Sequence, residues 1–162
     1  MSAEPCESLV CTRETFRPCP CDCVRWWSQA DWEDYFRTAD GMWPGRAPLN
    51  REEWDAAHAQ DYTYCAALVE GRAVAIAAVW RRSEDEWEVA AVGTAPAFRR
   101  QGYGEAVVCF VTDYILRCGR MATIGFRTSN VAMRRAAERV GFRPRKAPGE
   151  SRLGKADVND TP

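Results

Sequence analysis

Ala95-Pro96-Ala97-Phe98-Arg99-Arg100-Gln101-Gly102-Tyr103-Gly104 is the most informative segment of this 162-residue chain. Before it, Trp87–Thr94 has the apolar make-up of a strand. After it, Val107, Val111, Tyr114, Ile115 and Cys118 recur at spacings of four, three, one and three, the apolar face of a helix running from Tyr103 to Cys118. Gly102 and Gly104 fall where the turn becomes the first helical turn. The first N–H groups of a helix have no internal acceptor, and the positive end of the helix dipole stands behind them. Glycine lets a ligand come close to that main chain, and Arg99 and Arg100 add charge beside it. These features describe an anion site, most naturally for a phosphate or diphosphate. Neither a Walker spacing nor a Rossmann glycine pattern is present.

Outward from this segment the elements follow in both directions. Tyr64–Val69, Glu70-Gly71 and Ala73–Trp80 predict a strand, a tight turn and a second strand. Ser83-Glu84-Asp85 makes the next turn. Gly119 ends the long helix as a left-handed cap, and Met121–Arg127 is another strand. Asn130 opens a helix that runs to Val140 and closes at Gly141, and Phe142 to Arg145 begins a short last strand. On the N-terminal side, Asn50 with Glu53 three residues on has capping-box spacing for a helix over about Arg51–Ala59. Ser28 precedes a helix over Asp31–Thr38, with Trp32, Tyr35 and Phe36 on one face. Residues 24–27 are a short strand. Residues 1–23 hold many Cys and Pro and few apolar residues, so little regular structure is expected there. This order predicts an α/β sandwich with a mixed, mostly antiparallel sheet flanked by helices. The expected organisation is a Cys-rich extension (1–23), one domain (24–145) and a polar tail (146–162).

Arg99-x-x-Gly102-x-Gly104 resembles the acyl-CoA pyrophosphate loop of the GCN5-related N-acetyltransferases (GNAT). Val89 to Arg99 is similar to that family's fourth strand and following turn. Asn130 followed by Gly141-Phe142 is similar to its final helix and the Gly-Phe that ends it. The resemblance covers about residues 62–143. It implies a GNAT-type sandwich that takes acetyl-CoA as co-substrate. It implies that Val92, Gly93 and Thr94 offer main-chain groups to the pantetheine arm, a ligand added as a strand. The diphosphate would take the main-chain donors of Arg100, Gln101, Gly102, Tyr103 and Gly104, beside Arg99. Asn130 would bond the cofactor arm, or act as a plain helix cap.

Acetyl transfer to an amine requires the ammonium to lose a proton before attack, and the departing thiolate gains from receiving one. Glu86 and Glu88 are the available bases. Strand alternation puts Glu88 on the face of Val92, and its distance from the Gly-Tyr-Gly turn matches the catalytic glutamate of the family's histone-modifying members. Many members carry an acidic tyrosine seven residues after the Asn; here that position is Ala137, so no general acid is assigned. The implied activity is N-acyl transfer from acetyl-CoA to a primary amine, on a small molecule or peptide, by direct attack in a ternary complex. The alternative is an acyl-CoA-binding sensor or partner module without turnover. The family is often dimeric.

In the family the first two helices and their loop build the acceptor pocket. Here that region carries Trp26, Trp27, Trp32, Trp43 and Trp54, as pocket wall or as core. His58, the single histidine, is expected to be filler. Cys19, Cys21 and Cys23 are spaced too tightly for a standard zinc knuckle, and no metal site is assigned. A net charge of −1 disfavours gripping nucleic acid by bulk charge. No apolar run approaches the ~18–20 residues a membrane helix needs. No secretory signal is evident in the first thirty residues, and a reducing, cytoplasmic setting is expected for the eight cysteines.

Overall fold

The computed structural model describes residues 4–145; the expected tail at 146–162 lies outside the described residues. Seven strands form one sheet: β1 (Cys6–Cys11), β2 (Val24–Trp26), β3 (Tyr62–Val69), β4 (Arg72–Trp80), β5 (Glu86–Thr94), β6 (Met121–Arg127) and β7 (Arg143–Pro144). Their spatial order is β2-β3-β4-β5-β6-β1-β7. All neighbours are antiparallel except β5 and β6. That parallel pair is joined by the long helix α3 (Tyr103–Arg117), since parallel strands need a crossover.

The helices begin and end where short-range chemistry dictates. Ser28 and Asp31 exchange hydrogen bonds ahead of α1 (Trp32–Ala39). Asn50 and Glu53 form the expected capping box at α2 (Arg51–Ala59). Gly119 (φ 80) ends α3, and α4 (Val131–Val140) ends at Gly141 (φ 116). The β3–β4 turn has positive φ at Glu70 and Gly71, as a type I′ hairpin turn requires.

Helices α3 and α4 cover one face of the sheet, over a core that includes Val89, Val107, Val111, Ile115, Ile124 and Phe142. On the other face, Trp27, Tyr35, Trp54 and Tyr64 form a second, aromatic core beneath α1 and α2.

Within 1–23, where little regular structure was expected, residues 6–11 depart from expectation. Cys6–Cys11 is a full strand inserted between β6 and β7, with Leu9 opposite Ile124 and Cys11 opposite Ala122. Leu9 and Cys11 are buried. Glu7 pairs with Arg134 of α4 (2.7 Å). The strand was hidden because it is short and half polar, and its apolar residues gain a purpose only against β6, more than a hundred residues away. Residues 12–23 then run along α3 as an irregular arm, as expected. Arg13 donates to the Leu116 carbonyl (3.0 Å), and the Cys19 N–H approaches Cys109 Sγ (3.2 Å).

This arm is locked where it passes α4. A Cβ at Gly141 would fall 2.8 Å from the Thr15 carbonyl carbon and 2.9 Å from Phe16 Cα. Gly141→Ala combines that clash with an unfavourable φ and is expected to cost more than about 1 kcal/mol, read as a lowered urea midpoint.

Candidate functional site

The Arg99–Gly104 elbow follows β5. Arg99, Arg100, Gln101 and Gly102 are all solvent-exposed. Arg100 (φ 64) and Gly102 (φ 90) are left-handed, and such alternation turns successive N–H groups into one concavity. Among the described residues, no carbonyl or side chain accepts from the N–H groups of Arg100, Gln101, Gly102, Tyr103 or Gly104. The first helical bond across the elbow is Ala106 N–H to the Gly102 carbonyl (3.0 Å). Open space surrounds the Cα of Gly102, whereas a Cβ on Gly104 would sit 3.1 Å from Thr94 Oγ1. Glycine is therefore required at 102 by backbone conformation and at 104 by closeness to β5. Tyr103 packs edge-on against Phe98 (6.3 Å between ring centroids). A diphosphate fits this cradle by charge and by donor supply.

Beside the elbow the sheet opens. β5 and β6 pair from Glu86↔Met121 to Val89↔Ile124 and no further. Ala95 donates to the Val74 carbonyl of β4 (2.8 Å). By strand alternation the main-chain groups of Gly93 also face β4, and those of Val92 and Thr94 face the opening. Two side chains already reach those groups. Trp43 Nε1 donates to the Val92 carbonyl (3.3 Å), and Arg99 Nε donates to the Thr94 carbonyl (3.1 Å). Arg99 Nη2 also donates to the Met42 carbonyl (3.0 Å). The Arg99 guanidinium thus ties the elbow to the α1–α2 loop rather than standing free beside the donors.

Glu88 does not share a face with Val92. Between Ala78↔Ala90 and Ile76↔Gly93, β4 advances two residues while β5 advances three, a bulge with Ala91 at φ 55. The extra residue flips the alternation: Val89 and Val92 pack toward α3, whereas Ala91 packs toward the aromatic core. Glu88 lies in one cross-strand rung with Trp80 and Tyr62, whose rings are stacked (5.2 Å, 4° between planes). Arg82 Nη1 donates to Glu88 Oε1 (3.2 Å). Burial pushes the Glu88 carboxyl above its ordinary range, and the Arg82 guanidinium opposes part of that rise. Glu86 is occupied elsewhere, taking two hydrogen bonds from Arg145 (3.0 and 3.2 Å).

Asn130 is the N-cap of α4, its Oδ1 accepting from the Met133 N–H (3.1 Å). Ala137 is fully buried, so this stretch of α4 presents no hydroxyl. The tryptophans divide. Trp27 and Trp54 are core. Trp26 lies on the opposite face against Phe110 and Tyr114. Of the five, Trp43 is the one bonded to β5. His58 packs on Trp54 (4.5 Å) with Nδ1 2.9 Å from the Trp54 carbonyl. Among the described residues no three His, Cys, Asp or Glu side chains form a metal-holding cluster. Burial raises the Cys21 thiol to about 11 and raises Cys19 and Cys65 as well, the opposite of an activated thiolate. Among the described residues no helix is long and apolar enough to cross a membrane.

Two contributors were missed from sequence. Arg82 was legible in principle, because it and Glu88 flank the same short turn. Trp43 was not, because nothing local links the Gly- and Pro-rich α1–α2 loop to Gly93.

Solved structures share this architecture. A GNAT-family acetyltransferase from Novosphingobium aromaticivorans matches with a TM-score of 0.67 at 19% identity, over 88% of this chain and 61% of its own. The ribosomal-protein-S18-alanine N-acetyltransferase from Escherichia coli matches at 0.63 and 19%, over 74% and 76%. AAC(6')-Iy, solved in complex with the bisubstrate analogue CoA-S-monomethyl-acetylneamine, matches at 0.63 and 14%, over 76% and 92%. The chain spans only 53–61% of the length of the first solved structures that it matches. No curated protein matches the sequence. The model of the acetyltransferase (GNAT) family matches residues 23–142, a span that runs from β2 through the elbow to the end of α4, and the chain belongs to that family.

Proposed function

We propose that this protein is an acyl-CoA-dependent N-acyltransferase that moves acetyl from acetyl-CoA to a primary amine by direct attack in a ternary complex. One observation carries the reading: among the described residues, five main-chain N–H groups, Arg100 to Gly104, lie without acceptors beside a strand edge left unpaired beyond Val89. The elbow donors would hold the diphosphate. The main-chain groups of Val92 and Thr94 would hold the arm, after Trp43 and Arg99 yield the two carbonyls, while Gly93 between them stays paired to β4. Asn130, whose Oδ1 caps α4, would hydrogen-bond the cofactor near the base of its arm.

Glu88 is the proposed base. It takes a proton from the acceptor ammonium, directly or through water. The amine nitrogen then forms its bond to the thioester carbonyl carbon, and the C–S bond breaks. Main-chain N–H groups at the bulge stabilise the oxyanion as it develops. With Ala137 in place of a tyrosine, water supplies the proton to the thiolate, a fair leaving group with a thiol pKa near ~8.5.

Calorimetry with CoA, followed by thiol release with a panel of polyamines, aminoglycosides, amino acids and N-terminal peptides, tests this reading. Tight binding with no turnover on any acceptor would favour the sensor reading, which the buried Ala137 supports.

The base makes a prediction about pH. Only the carboxylate accepts a proton, so kcat/KM should fall as pH drops through the raised pKa of Glu88. Arg82→Gln removes the opposing charge and is expected to move that acidic limb to higher pH. Glu88→Gln is expected to lower kcat by about 10²–10⁴-fold. An unchanged acidic limb in Arg82→Gln would exclude Glu88 as the titrating group.

A further inference from the structure

We infer that the cavity between α1 and the β3–β4 turn is a second binding site, which takes the carboxylate of a small molecule with a short apolar body. It stands apart from the proposed acyl-CoA groove and does not depend on that reading.

The cavity encloses about 420 Å³, within the range of small-molecule sites. Leu68, Ala73, Ala95 and Phe98 give it apolar surface. Arg25, Arg37 and Arg72 face two acids of the same wall, Asp34 and Asp40, so one positive charge is left unmatched. Arg37 is already paired with Asp34 (3.0 Å). Arg25 and Arg72 form no ion pair among the described residues.

The strand register sets two donors side by side. Arg25 and Trp27 are two residues apart on one extended segment, and so share a face. Arg25 lies opposite Ala66 of β3, which belongs to the aromatic core beneath α1. The Trp27 N–H carries the pairing on to the Tyr64 carbonyl (2.8 Å). Trp27 is only 2% exposed, yet its indole N–H has no acceptor among the described residues. Trp54, in the same core, has one in the Gln29 carbonyl (2.9 Å). An enclosed donor without a partner costs stability until something accepts from it.

A carboxylate answers both needs. It has two acceptor oxygens, one for the indole and one for the Arg25 guanidinium, and it supplies the missing negative charge. The apolar body then lies against Leu68, Ala73 and Phe98. This ligand is not the acetyl acceptor. Ala73 lies five residues along β4 from Ala78, the partner of Ala90 at the bulge, which is about 16 Å at the rise of a strand.

Titration of the full chain with isocaproate, L-leucine and isocaproamide, in acetate-free buffer and without CoA, tests the site. Binding is followed by calorimetry and by the indole N–H signals in proton–nitrogen NMR, the Trp27 signal being identified by its loss in Trp27→Phe. At least one of the two carboxylates is expected to bind, and the Trp27 indole proton to move downfield as it gains an acceptor. Isocaproamide should bind at least about tenfold more weakly, and Arg25→Met should cost the carboxylate a similar factor. Arg25 is solvent-exposed, so this variant keeps the fold and decides the matter if Trp27→Phe does not fold. Gly102→Glu, which spoils the elbow, should leave the affinity unchanged. Tighter binding of leucine identifies an amino acid with its ammonium on Asp40; tighter binding of isocaproate identifies a simple acid. Failure of both carboxylates to bind overturns the inference. So does an amide that binds as well as the acid, an unmoved Trp27 signal at saturation, an unchanged affinity in Arg25→Met, or an affinity lost in Gly102→Glu. None of these results touches the acyl-CoA reading, which CoA binding tests separately.

Discussion

Gly102→Glu is expected to weaken CoA binding by at least about 100-fold in calorimetry while the protein stays folded. Two effects act together. A carboxylate would stand in the concavity proposed to hold a diphosphate, and like-charge juxtaposition costs several kcal/mol, each ~1.4 kcal/mol being a factor of ten. The left-handed conformation of residue 102 (φ 90) is strained for glutamate, and any relaxation out of it turns the N–H away. The fold should survive because a Cβ there meets nothing within 4 Å and the residue is exposed. The strain of a left-handed non-glycine residue, about 1–2 kcal/mol, is small against a typical stability of ~5–15 kcal/mol. Undiminished affinity in a folded variant would remove the elbow from the binding site, and the proposed activity with it.

Trp54→Ala is expected to destabilise the protein by about 3–5 kcal/mol, a fall in thermal midpoint of roughly 10 °C for a domain of this size. Trp54 is fully buried. It stacks on Tyr35 at 4.5 Å and lies tilted against Tyr64 at 4.7 Å. Its Nε1 donates to the Gln29 carbonyl (2.9 Å), which would lose that partner. Tyr35 also holds the Leu49 N–H, so the cavity would loosen the α1–α2 loop that carries Trp43 along with the core. A loss below about 1 kcal/mol, the range of a surface substitution, would mean that this aromatic cluster does not carry the second core.

The site divides in the same way as the fold. The elbow was legible because its features are consecutive: glycine at 102 and 104, a strand before and a helix after. The choice between Glu86 and Glu88 was only half legible. Both were candidates by type and position, but the Arg145 pair that occupies Glu86 and the Arg82 pair beside Glu88 join separate segments. Arg99 was expected to face an anion, and it instead bridges two carbonyls, one of them 57 residues away.

Caps, hairpin turns and helix ends follow from partners within about four residues. Asn50–Glu53, Glu70-Gly71, Gly119 and Gly141 therefore could be read from their neighbours alone. The Arg99–Gly104 elbow belongs with them. Three features depend on contacts between distant segments. Cys6–Cys11 becomes a strand only because β6 offers it an edge. The face of Glu88 depends on how three residues of β5 are matched to two of β4, which alternation within β5 does not encode. Trp43 becomes part of the site only when the sheet sets Gly93 beneath it. Local hydrogen bonds are specified by order along the chain, whereas register, bulge and the packing of Trp43 on Gly93 are specified by which surfaces bury one another.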